Sequence, residues 1–479
     1  MNNEFDREQS KEMLRQVRRY EKHKQTGEKI WLDSDNYIDI IDWYYENGKD
    51  ELAKQAVKEA YQLYDTNEEI VYLYAGLFAS EGNYDKAIEI VKKALQKNPS
   101  EDLYIDLAAL YVDSDTDIDG ALKILNSLQP QNQQDYYVYL LKGRIYLKLA
   151  DIVTAEQYLR KSITLNPDEE LSFCYYIECA EEDASLHEDY VLMRPMVGFM
   201  YDFTRSNPFN DFAWSTLGTL YLVYKFFPEA TEAFDYSIAI NPEGEQRYLG
   251  KAESLVMQNR PNEALQVLID APKYPDNKGR FYIKIADIYL NEGIYYTALL
   301  WLKEAEKYKE QLTDKSYISD MAICYYMTGN YDKGKTKLIQ AMNESLSVDM
   351  ILDLCGILYE GGATEVEDFF EMLIVENLST DIAEKVCIKW AELKVNEKRY
   401  IDAMRIIEAT VDDKITCSEY LWYEYLYLAC KDKQCYAYAT KAMSVAARFK
   451  SFPEKLIGIH PDLTHNPIYL NCIKEYFNE

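Results

Sequence analysis

A small residue followed four places later by a larger apolar one recurs along this 479-residue chain at a fixed interval. The pair stands at Ala53/Val57, Ala87/Val91, Ala121/Leu125 and Ala155/Leu159, with a step of 34 residues for 53→87→121→155. It returns as Ala230/Phe234, Ala264/Leu268 and Ala298/Leu302 with the same step. It continues as Gly334/Leu338, Ala403/Ile407 and Ala439/Met443, where 298→334 and 403→439 are steps of 36. A period of this size marks a repeat architecture. One copy, residues 136–167, shows what a period contains. Apolar or small residues recur at three- and four-residue steps in two back-to-back segments, the signature of amphipathic helices. Pro167 ends the second, because proline cannot continue a helix and biases Asn166 away from helical geometry. The period is a helical hairpin. One hairpin cannot bury its own apolar face, so neighbours must stack. The small residue lets the paired helices approach, and a leucine there would overpack them.

In this register the first helix carries Trp214, Leu217-Gly218 and Tyr221, or Tyr282, Ile285-Ala286 and Tyr289, or Ile318, Met321-Ala322 and Tyr325. The inner turn reads Gly82-Asn83-Tyr84, Gly293-Ile294-Tyr295 and Gly329-Asn330-Tyr331. The second helix carries Ala230, Phe234, Ser237 and Pro242. The chain thereby resembles the tetratricopeptide repeat family over most of its length. The resemblance implies an all-α fold: a right-handed superhelix, or solenoid, of about eleven to twelve helical hairpins with capping helices at both ends. Much of the content of 44 tyrosines follows, since Tyr falls at two framework positions per repeat.

The expected organisation runs in order. Residues 1–33 form a charged cap, helical from about Phe5 to Lys24, with Leu14, Val17 and Tyr20 covering the first repeat and a basic cluster at Arg15, Arg18, Arg19, Lys22 and Lys24. Residues 34–169 are repeats. Residues 170–210 form a divergent repeat, with 180–190 an exposed, protease-sensitive acidic loop and a second helix carrying Pro195 in its first turn. Residues 211–346 are regular repeats, and 347–451 are repeats of which the first is degenerate. Residues 452–479 form a C-terminal cap ending in an amphipathic helix. The acidic run 113–119 lacks the glycine and the terminal glutamate of a calcium loop and reads as a solvated turn.

A net charge of −30 argues against nucleic-acid binding, which needs Lys and Arg to neutralise phosphate. It disfavours anionic membrane surfaces equally, and no run of 18 apolar residues could span a bilayer. The N-terminus has no apolar core of signal-peptide length. Nine scattered cysteines without paired metal spacing read as buried free thiols in a reducing cytoplasm. With four histidines and no phosphate-binding or nucleophile motif, no catalytic residue, metal site or cofactor is expected.

The resemblance implies that the first helix of each repeat lines an inner groove. Carried to this chain, its ligand-facing places include Asp35, Asp42, Glu69, Tyr72, Asp106, Tyr137, Arg144, Glu253, Asp287, Asp349, Glu392 and Glu424. Acids outnumber the bases there, which are Arg144, Arg280 and Lys385. The set of Lys and Asn that clamps a terminal carboxylate in some family members is absent. The expectation is a non-enzymatic cytoplasmic scaffold that binds another protein or peptide bearing basic and apolar residues. A peptide-sensing regulator whose superhelix changes pitch, and an accessory subunit of an enzyme assembly, are the alternatives.

Overall fold

The computed structural model describes residues 2–27, 30–129, 131, 135–186, 191–272, 278–344, 347–375, 380–397, 399–410, 427, 456–458 and 460–476. Among these residues every regular element is a helix. Two compact units divide the chain, residues 1–259 and 260–479.

In the first unit, α1 (Asn2–Thr26) precedes α2 (Ser34–Glu46), α3 (Asp50–Leu63), α4 (Glu68–Ser80), α5 (Tyr84–Lys97), α6 (Glu101–Ser114) and α7 (Ile118–Ser127). There follow α8 (Tyr136–Lys148), α9 (Ile152–Leu165), α10 (Glu170–Leu186), α11 (Met193–Ser206), α12 (Asp211–Val223), α13 (Phe227–Ile240) and α14 (Glu245–Met257). In the second unit come α15 (Pro261–Asp270), α16 (Lys278–Asn291), α17 (Tyr295–Glu306), α18 (Tyr317–Met327), α19 (Tyr331–Glu344), α20 (Val348–Glu360), α21 (Glu367–Val375), α22 (Thr380–Asn396), α23 (Tyr400–Thr410) and α24 (Pro467–Tyr476).

The helices pair as the period requires: α2 with α3, α4 with α5, α6 with α7, α8 with α9, α12 with α13, α16 with α17, α18 with α19 and α22 with α23. Each described member of the small series is buried, from Ala53 to Ala403. The larger partners Val57, Val91, Leu125, Leu159, Leu268, Leu302 and Leu338 are sealed, and Phe234 is 1% exposed. Phe234 shows why small residues surround it. A Cβ on Gly218 of its own hairpin would stand 3.0 Å from its ring, and one on Gly250 of α14 would stand 2.4 Å away. One ring therefore fastens both the two helices of a hairpin and the next repeat. A second fastening recurs at one register position. Ser162 Oγ donates to the Tyr136 carbonyl at 2.8 Å, and Ser237 Oγ donates to the Asp211 carbonyl at 2.8 Å.

The inner turn is set by one residue in the left-handed region, five places before the small residue. Glycine serves there at Gly82, Gly293 and Gly329, but Ala150, Lys225 and Asn259 take the same conformation at positive φ. Caps follow the sequence: Asn67 and Asp135 side chains accept from the Ile70 and Tyr137 amides at the starts of α4 and α8.

α1 covers the first repeat, with Val17 and Tyr20 buried in its core and Leu14 at the exposed edge. The expected loop over 180–190 is corrected. α10 continues to Leu186, and Asp183 is fully buried. Its carboxylate accepts from the Leu192 amide at 3.0 Å and the Tyr224 hydroxyl at 3.2 Å. Burial of a charge stands when such donors meet it, so an acidic stretch here packs inward. Residues 187–190 lie outside the described set, as do Glu424 and the repeat of Ala439/Met443. In the degenerate repeat, Gly361-Gly362 end α20 and a short 3-10 turn, Thr364–Val366, leads into α21. Of the acidic turn 113–119, Asp117 caps α7, while Asp115 pairs with Lys148 at 2.6 Å.

Ala230→Leu places a bulkier side chain in a fully buried interhelical contact. It should destabilise the protein by about 1–3 kcal/mol. Thermal or urea denaturation of the variant checks this; an unchanged midpoint would refute the register.

Candidate partner-binding face

In the first unit the first helices of successive hairpins touch one another. α2 contacts α4, α4 contacts α6, α6 contacts α8, α8 contacts α10, α10 contacts α12 and α12 contacts α14. They form a continuous layer, with the second helices on the other side.

That layer brings four of the expected residues together. Tyr72 on α4 is 57% exposed, Asp106 on α6 and Tyr137 on α8 are half-buried, and Arg144 lies one further turn pair along α8. Burial first, then Tyr72, Asp113, Asp106 and neighbouring charges, act on the Tyr137 phenol and raise it far above its ordinary range. Burial and the carboxylates of Asp106 and Asp113 raise the Tyr72 phenol too. Between α6 and α8 lies a cavity of about 290 Å³ lined by Asp102, Ile105, Asp106, Gln131, Asp135 and Tyr137.

The carboxylates crowd here. Burial, then Asp102 and Glu68, pushes Asp106 up to about 7. Burial and the facing Glu68 carboxyl raise Asp102. One layer earlier, burial and the acids Asp42, Asp35 and Asp39 raise Glu69. Burial and the neighbours Glu46 and Asp39 raise exposed Asp42. Like charges held this close favour protonation.

Arg144, the cation expected in this groove, is already engaged. Its guanidinium pairs with Asp113 at 2.5 Å and lies over the Tyr175 ring at 5.0 Å. It therefore ties α8 to α6 and α10 and leaves the acids around the cavity uncompensated. Asp113, Asp102, Glu68 and Asp135 were not among the expected contact residues. Asp102 and Asp106 are spaced i,i+4 on α6, which places them on one face, and this signal was available in the sequence.

The remaining expected residues lie elsewhere. Glu253 is exposed on α14, at the far end of the first unit. Asp287 belongs to the second unit, where burial raises its carboxyl, with Asp314 adding to the effect. Burial, then Asp287 and Asp314, pushes Asp320 up to about 7. Glu392 is exposed on α22, beside Lys389, which pairs with Asp353 at 2.7 Å. Lys385 pairs with Asp349 at 3.0 Å, so that face of the second unit carries its own ion-pair ladder.

Among the described residues no helix is long and apolar enough to cross a membrane, and no group of three or more His, Cys, Asp or Glu is placed to hold a metal ion. Of the described cysteines, Cys174 is exposed and Cys179, Cys324, Cys355 and Cys387 are buried free thiols.

Consecutive helical hairpins, stacked through a small-residue seam, define an α-helical repeat protein. The chain is a tetratricopeptide-repeat protein: models described as "Tetratricopeptide repeat" match residues 44–111, 79–145 and 136–169. Such repeats act broadly as protein-interaction scaffolds. Over 375 residues the chain is 24% identical to the TPR repeat-containing protein MJ1428 of Methanocaldococcus jannaschii. That match covers 73% of this chain and 64% of the relative, so the chain spans under two thirds of the relative's length. Solved structures with likeness include yeast Tom70, at 14% identity and TM-score 0.39 over 96% of this chain and 97% of that one. A tetratricopeptide repeat protein from Parabacteroides merdae gives 15% identity and TM-score 0.35 over 63% and 98%.

The sign of the pH dependence at Asp106 follows from its raised value. The folded state holds the proton up to about 7, whereas the unfolded chain releases it near 4, so Asp106 costs stability as pH rises from about 4 to 7. Asp106→Asn should match the wild type near pH 4 and exceed it in thermal midpoint at pH 8, with the gap opening across that window. A gap that is constant with pH would contradict the assignment.

Proposed function

We propose that the first-helix layer of residues 1–259, from α2 to α8, docks a protein or peptide segment that alternates Lys or Arg with apolar residues. The role is non-enzymatic scaffolding. The observation that carries the reading is the convergence of Tyr137 with Asp102, Asp106 and Asp135 about one cavity, with Tyr72 near Asp106 and Tyr137, while Arg144 is committed to Asp113. Tyrosine rings offer apolar area with a polar tip, suited to a partner's aliphatic anchors. Uncompensated carboxylates in a concave setting attract a basic segment and speed its encounter. The first-helix acids of the second unit, Asp287 and Asp320, form a separate candidate surface for the same class of partner.

A cation brought against Asp106 lowers its pKa, so docking releases a proton near neutrality. Affinity for a basic amphipathic peptide should therefore rise from pH 6 to pH 8 and fall with salt. Titration calorimetry or fluorescence anisotropy with Lys/Leu peptides measures both. Asp106→Lys should weaken binding by about tenfold or more and flatten the salt dependence. Equal binding of acidic or neutral peptides, or no binding at all, would leave these carboxylates as solubilising groups only.

A further inference from the structure

A second cavity, of about 520 Å³, lies on the opposite side of the helical layer, among α11, α12 and α13. Its walls come from residues spaced along single helix faces: Trp214 and Tyr221 on α12, Tyr236 on α13 and Tyr201 on α11. The floor is buried Leu217 and Ala233. Trp214 and Tyr236 stack with centroids 4.5 Å apart, and the Trp214 indole N–H donates to the Pro208 carbonyl at 3.0 Å, which fixes that wall. Glu229 and Glu232 stand exposed at the rim, and neither forms an ion pair. Burial, then Glu229, Tyr201 and Glu232, raises the Tyr221 phenol, so both carboxylates act on the pocket.

The internal repeats show what this place ordinarily holds. Subtracting 75 residues, from 230 to 155, puts Tyr139 and Tyr146 at the positions of Trp214 and Tyr221. There Tyr158 fills the space, stacked on both rings at 6.1 and 5.5 Å. The ammonium of Lys161 sits 5.4 Å from the Tyr139 and Tyr158 centroids. In the first repeat the same place, over Tyr37 and Tyr44, is filled by Tyr20 of α1, whose hydroxyl donates to Glu59 at 2.7 Å. In the α16/α17 hairpin Trp301 fills it, 5.4 Å from Tyr282. The α12/α13 hairpin alone of these four has lost its filler. Ala233 replaces the ring of Tyr158, Tyr236 replaces Lys161, and Glu229 and Glu232 replace Thr154 and Gln157. The aromatic walls remain, the cation at the Lys161 place is gone, and two carboxylates have been added. An ammonium over aromatic faces is favourable, more so when partly desolvated, and rim carboxylates add to it.

We propose that this pocket takes the side chain of a lysine from a partner protein, with its ammonium against the Trp214 and Tyr221 rings and between Glu229 and Glu232. The site is distinct from the first-helix face, so it stands or falls separately from the docking role given to that face. Arg205, over the Tyr201 ring at 5.9 Å, lines the same pocket and competes for the place.

The test uses the full chain labelled with 5-fluorotryptophan, its Trp214 fluorine resonance assigned with Trp214→Phe. The probes are N-acetyl-lysine methylamide and its uncharged analogue N-acetyl-norleucine methylamide. The lysine amide should shift the Trp214 resonance saturably, and the norleucine amide should not. Glu229→Gln with Glu232→Gln should weaken the response by about fivefold or more. Ala233→Tyr, which restores the filler seen at Tyr158, should abolish it. Unchanged resonances of the other tryptophans report that each variant is folded, and the charge variants decide the matter if Ala233→Tyr is not. Equal response to both amides would make this an apolar slot. Silence in the wild type, or a response seen only in Arg205→Ala, would show that the pocket takes no partner lysine.

Discussion

The contact between a small residue and a large one at each hairpin seam is the interaction on which everything else depends. Phe234 packed against Gly218 and facing Gly250 shows it at its clearest. Helix axes come close only where a Cβ is absent or minimal, and the wedge that enters then reaches the next hairpin as well. Phe234 is shared between neighbouring hairpins in this way, and such local contacts let the chain propagate without distant pairing. The layer of first helices in residues 1–259 is the geometric result, and it sets Tyr72, Asp106 and Tyr137 side by side although they are far apart in sequence.

Once the seam is fixed, side chains away from it are free to differ between repeats. Two sorts of variation follow. On the first-helix side, acids gather around α6 and α8, where burial and mutual repulsion hold Asp106 near 7, while Arg144 is spent on Asp113. On the second-helix side, the place filled by Tyr20, Tyr158 or Trp301 in other hairpins is left as a cavity above Ala233. One repeat motif thus presents an acidic face at α6 and α8 and, several hairpins later, an aromatic recess at α11 to α13.

The hairpin boundaries were legible because they rest on periodicity, proline and left-handed turns, all local in sequence. The helices beginning at Ser34, Tyr136 and Asp211 start at the expected boundaries. Residues 180–186 were misread because polarity suggested exposure, whereas Asp183 is buried by donors from Leu192 and Tyr224, the latter 41 residues away. Long-range hydrogen bonding leaves no periodic trace. Placement on the first-helix layer was legible for a related reason. Places on a helix face carry over from repeat to repeat, so Tyr72, Asp106, Tyr137 and Arg144 were expected on that layer, and α4, α6 and α8 carry them there. The pairing of Arg144 on α8 with Asp113 on α6 was not expected. Glu253, Asp287 and Glu392 share the register but lie on other helices, well along the chain, because register fixes a face and not a meeting point.

The central claim is that the acidic first-helix face, rather than the outer carboxylates, receives a basic segment. Zero-length carbodiimide cross-linking of the full chain to a Lys/Leu peptide, mapped by mass spectrometry, tests it most directly. It joins a lysine amine only to a carboxylate that it touches. The account predicts adducts concentrated at Asp102, Asp106 and Asp135. Labelling of Asp85 and Glu89, both exposed on second helix α5, as heavily as those three would contradict it.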